Sequence, residues 1–414
     1  MLIFHTAALA VLMLLTGLSV TQAQDLSLTE AVNLSLAHNE PSVRSYHARA
    51  ETIWAASQSQ SQLMGPKAKL GLANLPANGF NFTQEPMTQL QIMLHQDIPG
   101  RTTRRLIREK GEHAGNIYQQ QAIGQQLNII RDVRRLWLQL LFTANSKIIL
   151  LEKQRTLEEL SQSLQGNYLA GKNHAGQLLL LDAERALLDD KQEQLAELEN
   201  ITRLKLARYI GSAAMASVPS GTYDQMTVPP ALSQIEDSLP QHPALKQHRA
   251  KIRVEDKAIG LAHEAYKPNW GLDVGYGLRG GGRADLLTAM VTFDVPLFTR
   301  GKQDKKLYSA KKSKLAAQLS AKAATEDMKR NLKISYIKWQ RSSRRLTLHE
   351  TDILPRTKAA AQAAAKSYAA GSSGYDDMIR ISLGALDVRQ KIEELKMIRA
   401  QSQADLAYYS GEIQ

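Results

Sequence analysis

The feature that most constrains this chain is a proline-free run from Arg101 to Gly211. It reads as two very long helices joined by one tight turn at Gly166–Gly176. At 1.5 Å per residue the first arm, to about Gln165, would extend roughly 95 Å. Helical pattern beyond about 25 residues points to a coiled coil or a helical repeat rather than a compact core. Ile123, Leu127, Ile130, Val133, Trp137, Leu140, Ala144, Ile148 and Leu151 recur at gaps of three and four and draw one apolar seam. Such a hairpin cannot cover its own seam, so it needs neighbours.

The chain supplies some of them itself. Tyr168-Leu-Ala-Gly171 returns as Tyr368-Ala-Ala-Gly371, and Arg208-Tyr209-Ile-Gly211 as Tyr408-Tyr409-Ser-Gly411. Pro41 and Pro66 find counterparts in Pro243 and Pro268, and Pro99 in Pro296. Landmarks in one order at a nearly constant offset describe a tandem duplication. The first repeat occupies 24–211 and the second 231–414, with 212–230 read as a linker on the outside.

Each repeat opens with helix: 25–36 and 40–64 in the first, 241–266 in the second. The period then changes to two. Strands are expected near 68–75 and 87–98, and again near 269–279 and 286–296. Trp270, Leu272, Val274, Tyr276 and Leu278 alternate with Gly271, Asp273, Gly275 and Gly277. The second long hairpin covers 300–411; its Pro355 stands where the first has Arg155, so a bend or local break is expected there.

Strands of nine to eleven residues alternating apolar with Gly, Thr, Asp and Gln have the length and dyad pattern of a membrane barrel. Four strands cannot close one, and open edges are not tolerated in lipid. Closure needs several chains, and three would give twelve strands. A soluble helical bundle capped by two β-hairpins is the other architecture this pattern allows.

Composition narrows the chemistry. The chain has no cysteine, which excludes disulfides, zinc-thiolate sites and thiol nucleophiles. The net charge of +12 accompanies only 6% aromatic residues, which suits long helices. The apolar run Leu2–Val20, followed by Thr21-Gln22-Ala23, reads as a signal peptide spanning 1–23, with an uncleaved anchor as the rival. Neither G-x-S-x-G, H-E-x-x-H nor a phosphate loop is present, so no catalytic residue, cofactor or enzyme activity is expected. His95, Met93, Met87 and His174 are possible soft ligands, but their spacing forms no metal motif, and no metal site is assigned. Nucleic acid is not an expected partner.

The chain resembles the TolC family of outer-membrane efflux ducts. The resemblance rests on the duplicated helix–strand–strand–hairpin order, the Tyr-x-x-Gly turns, Leu181-Asp182-Ala183-Glu184 after the first turn, and Ile353-Leu354-Pro355 before the second. Within the family it is most similar to the heavy-metal, Cus- and Czc-type branch, through Gly65-Pro66-Lys67, Leu72-Ala73-Asn74-Leu75-Pro76, Gln84-Glu85-Pro86-Met87-Thr88-Gln89 and Pro99-Gly100-Arg101. Asn167 and Ser367 depart from the basic residue often found before the turn tyrosine.

The resemblance implies a mainly α fold with a β-barrel part. Antiparallel helical hairpins would form an α-barrel, and four transmembrane strands per chain a trimeric twelve-stranded barrel. It also implies a place in the Gram-negative outer membrane extending into the periplasm. The partners would be a periplasmic adaptor and an inner-membrane RND pump, with heavy-metal cations as cargo. A duct for organic toxicants and a soluble periplasmic adaptor or scaffold are the alternatives. Tyr168, Gly171, Tyr368, Gly371 and Gly374 would form the adaptor-facing tip. Asp376, Asp377 and Asp182 would give an acidic entrance ring, unless they serve only the helix N-terminal dipole. Arg101, Arg104, Arg105, Lys302 and Lys305 would meet lipid headgroups, unless they are simply solvated.

Overall fold

The computed structural model describes residues 25–169 and 175–412. A two-residue strand, β1 (Asp25–Leu26), leads into α1 (Leu28–Ala37), whose N-cap Ser27 accepts from the Glu30 N–H at 3.1 Å. Next come α2 (Pro41–Gln60), β2 (Lys67–Ala73), β3 (Gln89–Ile98) and then α3, unbroken from Arg101 to Leu169. The chain returns along α4 (Ala175–Ile210). Two short elements follow, α5 (Ala213–Ala216) and β4 (Val218–Pro219). The second half runs α6 (Leu232–Ser238), α7 (Pro243–Glu264), β5 (Trp270–Arg279), β6 (Leu286–Phe293) and α8 (Gln303–Leu348). A π-helical turn at His349–Ile353 joins α8 to α9 (Leu354–Ala369), and α10 (Tyr375–Ser410) closes the chain.

The π turn sits immediately before Pro355, which lies in the first turn of α9. Proline lacks the N–H an α-helix needs and its ring crowds the preceding turn. Widening the backbone there lets the helix continue without a clash. α3 carries Arg155 at the equivalent place and needs no such device.

α3 is the hub. It touches α1, α2, α4, α7 and α10. Its middle packs Ile129, Ile130, Val133, Trp137 and Leu141 against Leu26, Leu28 and Val32, and the Trp137 indole N–H donates to the Leu26 carbonyl at 2.8 Å. Towards the tip the spacing becomes strictly heptad: Leu150, Leu157 and Leu164 on α3 meet Leu181, Leu188 and Leu195 on α4. The seam expected from sequence shifts there. Ile148 and Leu151 are exposed, while Ile149 and Leu150 are buried. A straight helix drifts against a seven-residue repeat, and the partners of α3 change along its length.

The segment between the repeats is anchored to the core of the chain. β4 pairs in parallel with β1, and Tyr223 and Met226 are buried in the same core as Trp137. The small, polar composition of 212–230 hid these two apolar anchors.

The duplication has a structural meaning at its landmarks. Glu40 caps α2, accepting from the Ser42 N–H at 2.7 Å, and pairs with Arg208 at 3.1 Å. His242 caps α7, accepting from the Ala244 N–H at 3.2 Å through Nδ1, while Nε2 bonds the Tyr408 carbonyl at 3.1 Å. In each half the residue before the helix-opening proline ties that helix to the end of the returning arm.

Candidate functional site

The site begins with the sheet, ordered β2-β3-β5-β6 and antiparallel throughout. Its register sorts residues into two faces, with Gln96 as a polar exception on the apolar one. Ala68, Leu94, Val274 and Ala289 form one cross-strand row; Leu70, Ile92, Tyr276 and Leu287 form the next on the same face. Ile98, Trp270 and Phe293 end that face, with the two rings 5.3 Å apart. Among the described residues nothing covers it: Leu70 is 73% exposed and Leu287 78%. Isolated exposed apolar residues are ordinary, but a continuous apolar face is not. Among the described residues, β2 and β6 also leave their outer edges unpaired.

The opposite face is mostly polar or small, with Met93, Leu286 and Met290 as its large apolar residues. A chain of polar contacts crosses all four strands. Lys67 pairs with Asp97 at 3.1 Å; His95 contacts Asp97 at 3.1 Å and Asp273 at 2.9 Å; Thr292 donates to Asp273 at 3.2 Å. Both imidazole nitrogens of His95 face carboxyl oxygens, one on its own strand and one on β5. Among the described residues no group of three or more His, Asp or Glu has the geometry to hold a metal ion. Nor is any described helix long and apolar enough to cross a membrane.

The far end of the hairpins is the second part of the site. α9 closes in a Schellman turn: Gly371 takes φ +73°, its N–H donates to the Tyr368 carbonyl and the Ser372 N–H to the Ser367 carbonyl, each at 2.9 Å. Gly374 is the N-cap of α10 in extended conformation. Tyr368 stacks edge-on against Tyr375 at 5.4 Å, and the Tyr375 hydroxyl donates to the Leu160 carbonyl. Tyr168 lies in the last turn of α3. Gly171 and His174 lie outside the described residues.

α3 runs between α4 and α10, and a groove of about 530 Å³ opens along it. Its floor is Ile149, Leu150, Leu188 and Ile379; its rims carry Lys153, Glu184 and Lys191 together with Asp376, Asp377 and Asp387. Asp377 also pairs with Arg380 at 2.7 Å. Asp182 is exposed on α4 and does not line the groove. The tip thus gathers Asp376 and Asp377 and leaves Asp182 apart.

Sequence reasoning missed the polar staples between α3 and α10. Glu152 pairs with Arg389, Lys153 with Asp387, and Gln390 donates to Ser146 at 2.7 Å. It also missed Tyr375, one of the largest wholly buried side chains. The staples join residues more than 200 positions apart, and no local pattern marks them. Tyr375 did carry a signal, an aromatic residue directly after a glycine N-cap.

At the upper end of the hairpins, Arg101, Arg104 and Arg105 open α3. Lys302 is the N-cap of α8, and Lys305 is exposed in its first turn.

This is the fold of the outer-membrane channels. VceC from Vibrio cholerae is similar over 93% of this chain and 96% of its own, with a TM-score of 0.78 at 14% identity. The CmeC outer membrane channel of Campylobacter jejuni gives 0.78 at 15%, covering 93% and 85%. CusC, described as undergoing conformational changes accompanying folding and transmembrane channel formation, gives 0.77 at 12%, covering 93% and 92%. Residues 234–412 match the family model described as outer membrane efflux protein. Outer membrane and efflux are therefore the setting that the family description attaches to the second repeat. The first repeat carries the same helix–strand–strand–hairpin order. No curated protein sequence matches this one.

Proposed function

We propose that this chain is one third of an outer-membrane efflux duct, a passive exit for heavy-metal cations. An RND pump would deliver them through a periplasmic adaptor. The observation that carries the reading is the sheet. An apolar face with nothing over it and two unpaired edges has one stable solution in a bilayer, a closed barrel shared among copies. Three chains give twelve strands with the polar face lining a lumen. The same assembly covers the exposed apolar stripes of the hairpins, including Ile148, Leu151, Leu187 and Leu204. The duct contributes no catalysis; the pump supplies the energy.

A soluble scaffold with this sheet would expose the apolar face to water, which makes the duct the better reading. Fractionation tests it. The protein is expected in the outer membrane, as a trimer that requires detergent. A water-soluble monomer overturns the duct.

The metal cargo is supported by the sequence motifs shared with the Cus- and Czc-type branch. A deletion strain is expected to become sensitive to copper, silver, zinc or cadmium. Sensitivity to organic toxicants alone replaces the cargo and leaves the duct.

At the tip, the turns holding Tyr168, Gly171, Tyr368, Gly371 and Gly374 meet the adaptor, and Asp376 and Asp377, which line the same groove, give the mouth its cation preference. Replacing Asp376 and Asp377 by Ala should lower cation selectivity of single channels in planar bilayers. Unchanged conductance and selectivity would leave these acids a role only in the helix dipole.

A further inference from the structure

Where β3 gives way to α3, a groove of about 570 Å³ is lined by Arg101, Arg104, Arg105 and Arg108, with Ser61 and Thr102 beside them. No carboxylate lines it. Arg105 and Arg108 are engaged only loosely, with Glu109 at 3.6 Å and Glu112 at 3.7 Å. Arg101 and Arg104 have no carboxylate partner among the described residues, and the buried Arg104 Nε has no hydrogen-bond partner there. Four guanidinium groups around an open groove create a strong unmet demand for an anion with several acceptor oxygens.

The depth of the groove identifies the anion. The apolar face of the sheet ends at the row of Ile98, Trp270 and Phe293, and aromatic residues at the end of such a face mark a membrane–water boundary. Arg101 follows Ile98 by three residues. From Arg101 to Arg108 a helix rises about 10 Å, the scale of one headgroup layer. The groove also opens in the right direction. At steps of three and four, Arg101, Arg105 and Arg108 continue the face of α3 that Ile130 and Trp137 present to the β1–α1 layer. In the duct reading this layer is taken to lie outside the tube, facing the lipid.

We propose that this groove is a binding site for the phosphate of an anionic glycerophospholipid in the periplasmic leaflet of the outer membrane, one per chain. It rests on the duct reading above, and it turns a general attraction of basic residues to the surface into a defined site. Guanidinium forks bind phosphodiester oxygens, and Ser61 and Thr102 add hydroxyls to the lining.

The test uses the full-length protein purified in a neutral detergent. Dioleoylphosphatidylglycerol, dioleoylphosphatidylcholine and inorganic phosphate are titrated separately, and retained lipid is read by native mass spectrometry. Phosphatidylglycerol should be retained in preference to phosphatidylcholine. Arg101→Gln with Arg104→Gln and Arg108→Gln should weaken its retention about tenfold. Lys322→Gln with Lys338→Gln, exposed further along α8 and about 30 Å or more from its start, should change it less than about twofold, because attraction to the surface fades within a Debye length. Equal retention of the two lipids, or an arginine variant that forms trimers and retains phosphatidylglycerol like the parent, overturns the site. Displacement of phosphatidylglycerol by millimolar inorganic phosphate would assign the groove to free phosphate and overturn the lipid source. If the arginine variant fails to form trimers, the preference of the unmodified protein for phosphatidylglycerol over phosphatidylcholine still decides. A protein that is monomeric without detergent defeats the duct itself, an outcome distinct from all of these.

Discussion

His242 shows how much a single side chain settles. Its Nδ1 accepts the Ala244 N–H, so the ring is neutral and Nε2 carries the proton towards the Tyr408 carbonyl. Burial pushes its pKa down, and the bond to Tyr408 only partly opposes that. The unfolded chain therefore binds this proton more readily than the folded one. Stability from His242 is complete above about pH 6.5 and is lost as the pH falls below that value. Glutamine can accept and donate at the same two places without titrating. His242→Gln should therefore flatten the loss of thermal stability between about pH 6.5 and 5, measured by unfolding scans across that range. The counterpart Glu40 is pushed up by burial, but its bonds to Ser42 and Arg208 outweigh this and hold it below the ordinary carboxylate value. Its contribution persists to more acidic pH than that of His242. The prolines beside these two residues were visible as landmarks in the sequence. What the caps bond to was not, because Arg208 and Tyr408 lie more than 160 positions away.

At the scale of elements, the two long hairpins form a natural experiment. The outgoing arm of the first is one helix of 69 residues; that of the second is interrupted by a π turn before Pro355. The π turn has already absorbed the missing hydrogen bond. Pro355→Ala should therefore shift stability by less than about 1 kcal/mol, whereas Arg155→Pro in α3 should cost about 3 kcal/mol or more. Thermal unfolding of the two variants in parallel checks the asymmetry. The break in regular helix before Pro355 was legible because proline acts locally. The shift of the α3 seam from Ile148 and Leu151 to Ile149 and Leu150 was not. Gaps of three and four permit several neighbouring stripes, and only the position of α4 and α10 selects one.

For the whole molecule, the decisive quantity is the difference between the two faces of the sheet. Val274 sits in a central row of the apolar face, and Thr288 lies opposite Gly275 on the polar face. Val274→Lys should cost about 2–4 kcal/mol in a bilayer and reduce the trimer recovered from outer-membrane fractions. Thr288→Lys should leave assembly intact and alter single-channel ion selectivity. Similar losses for both would mean that neither face meets lipid.

The sequence alone determined the period of each segment, and through it the repeat, the four strands and the long hairpins. Hydrophobic spacing and proline placement act over a few residues and are written directly in the chain. Tertiary structure decided everything that depends on distant partners. It placed β3 beside β5 so that His95 meets Asp273, drew Tyr223 and Met226 of the linker into the core, and turned four arginines into a groove. Those contacts join residues whose separation along the chain carries no signal, and their energies exist only once the elements have packed.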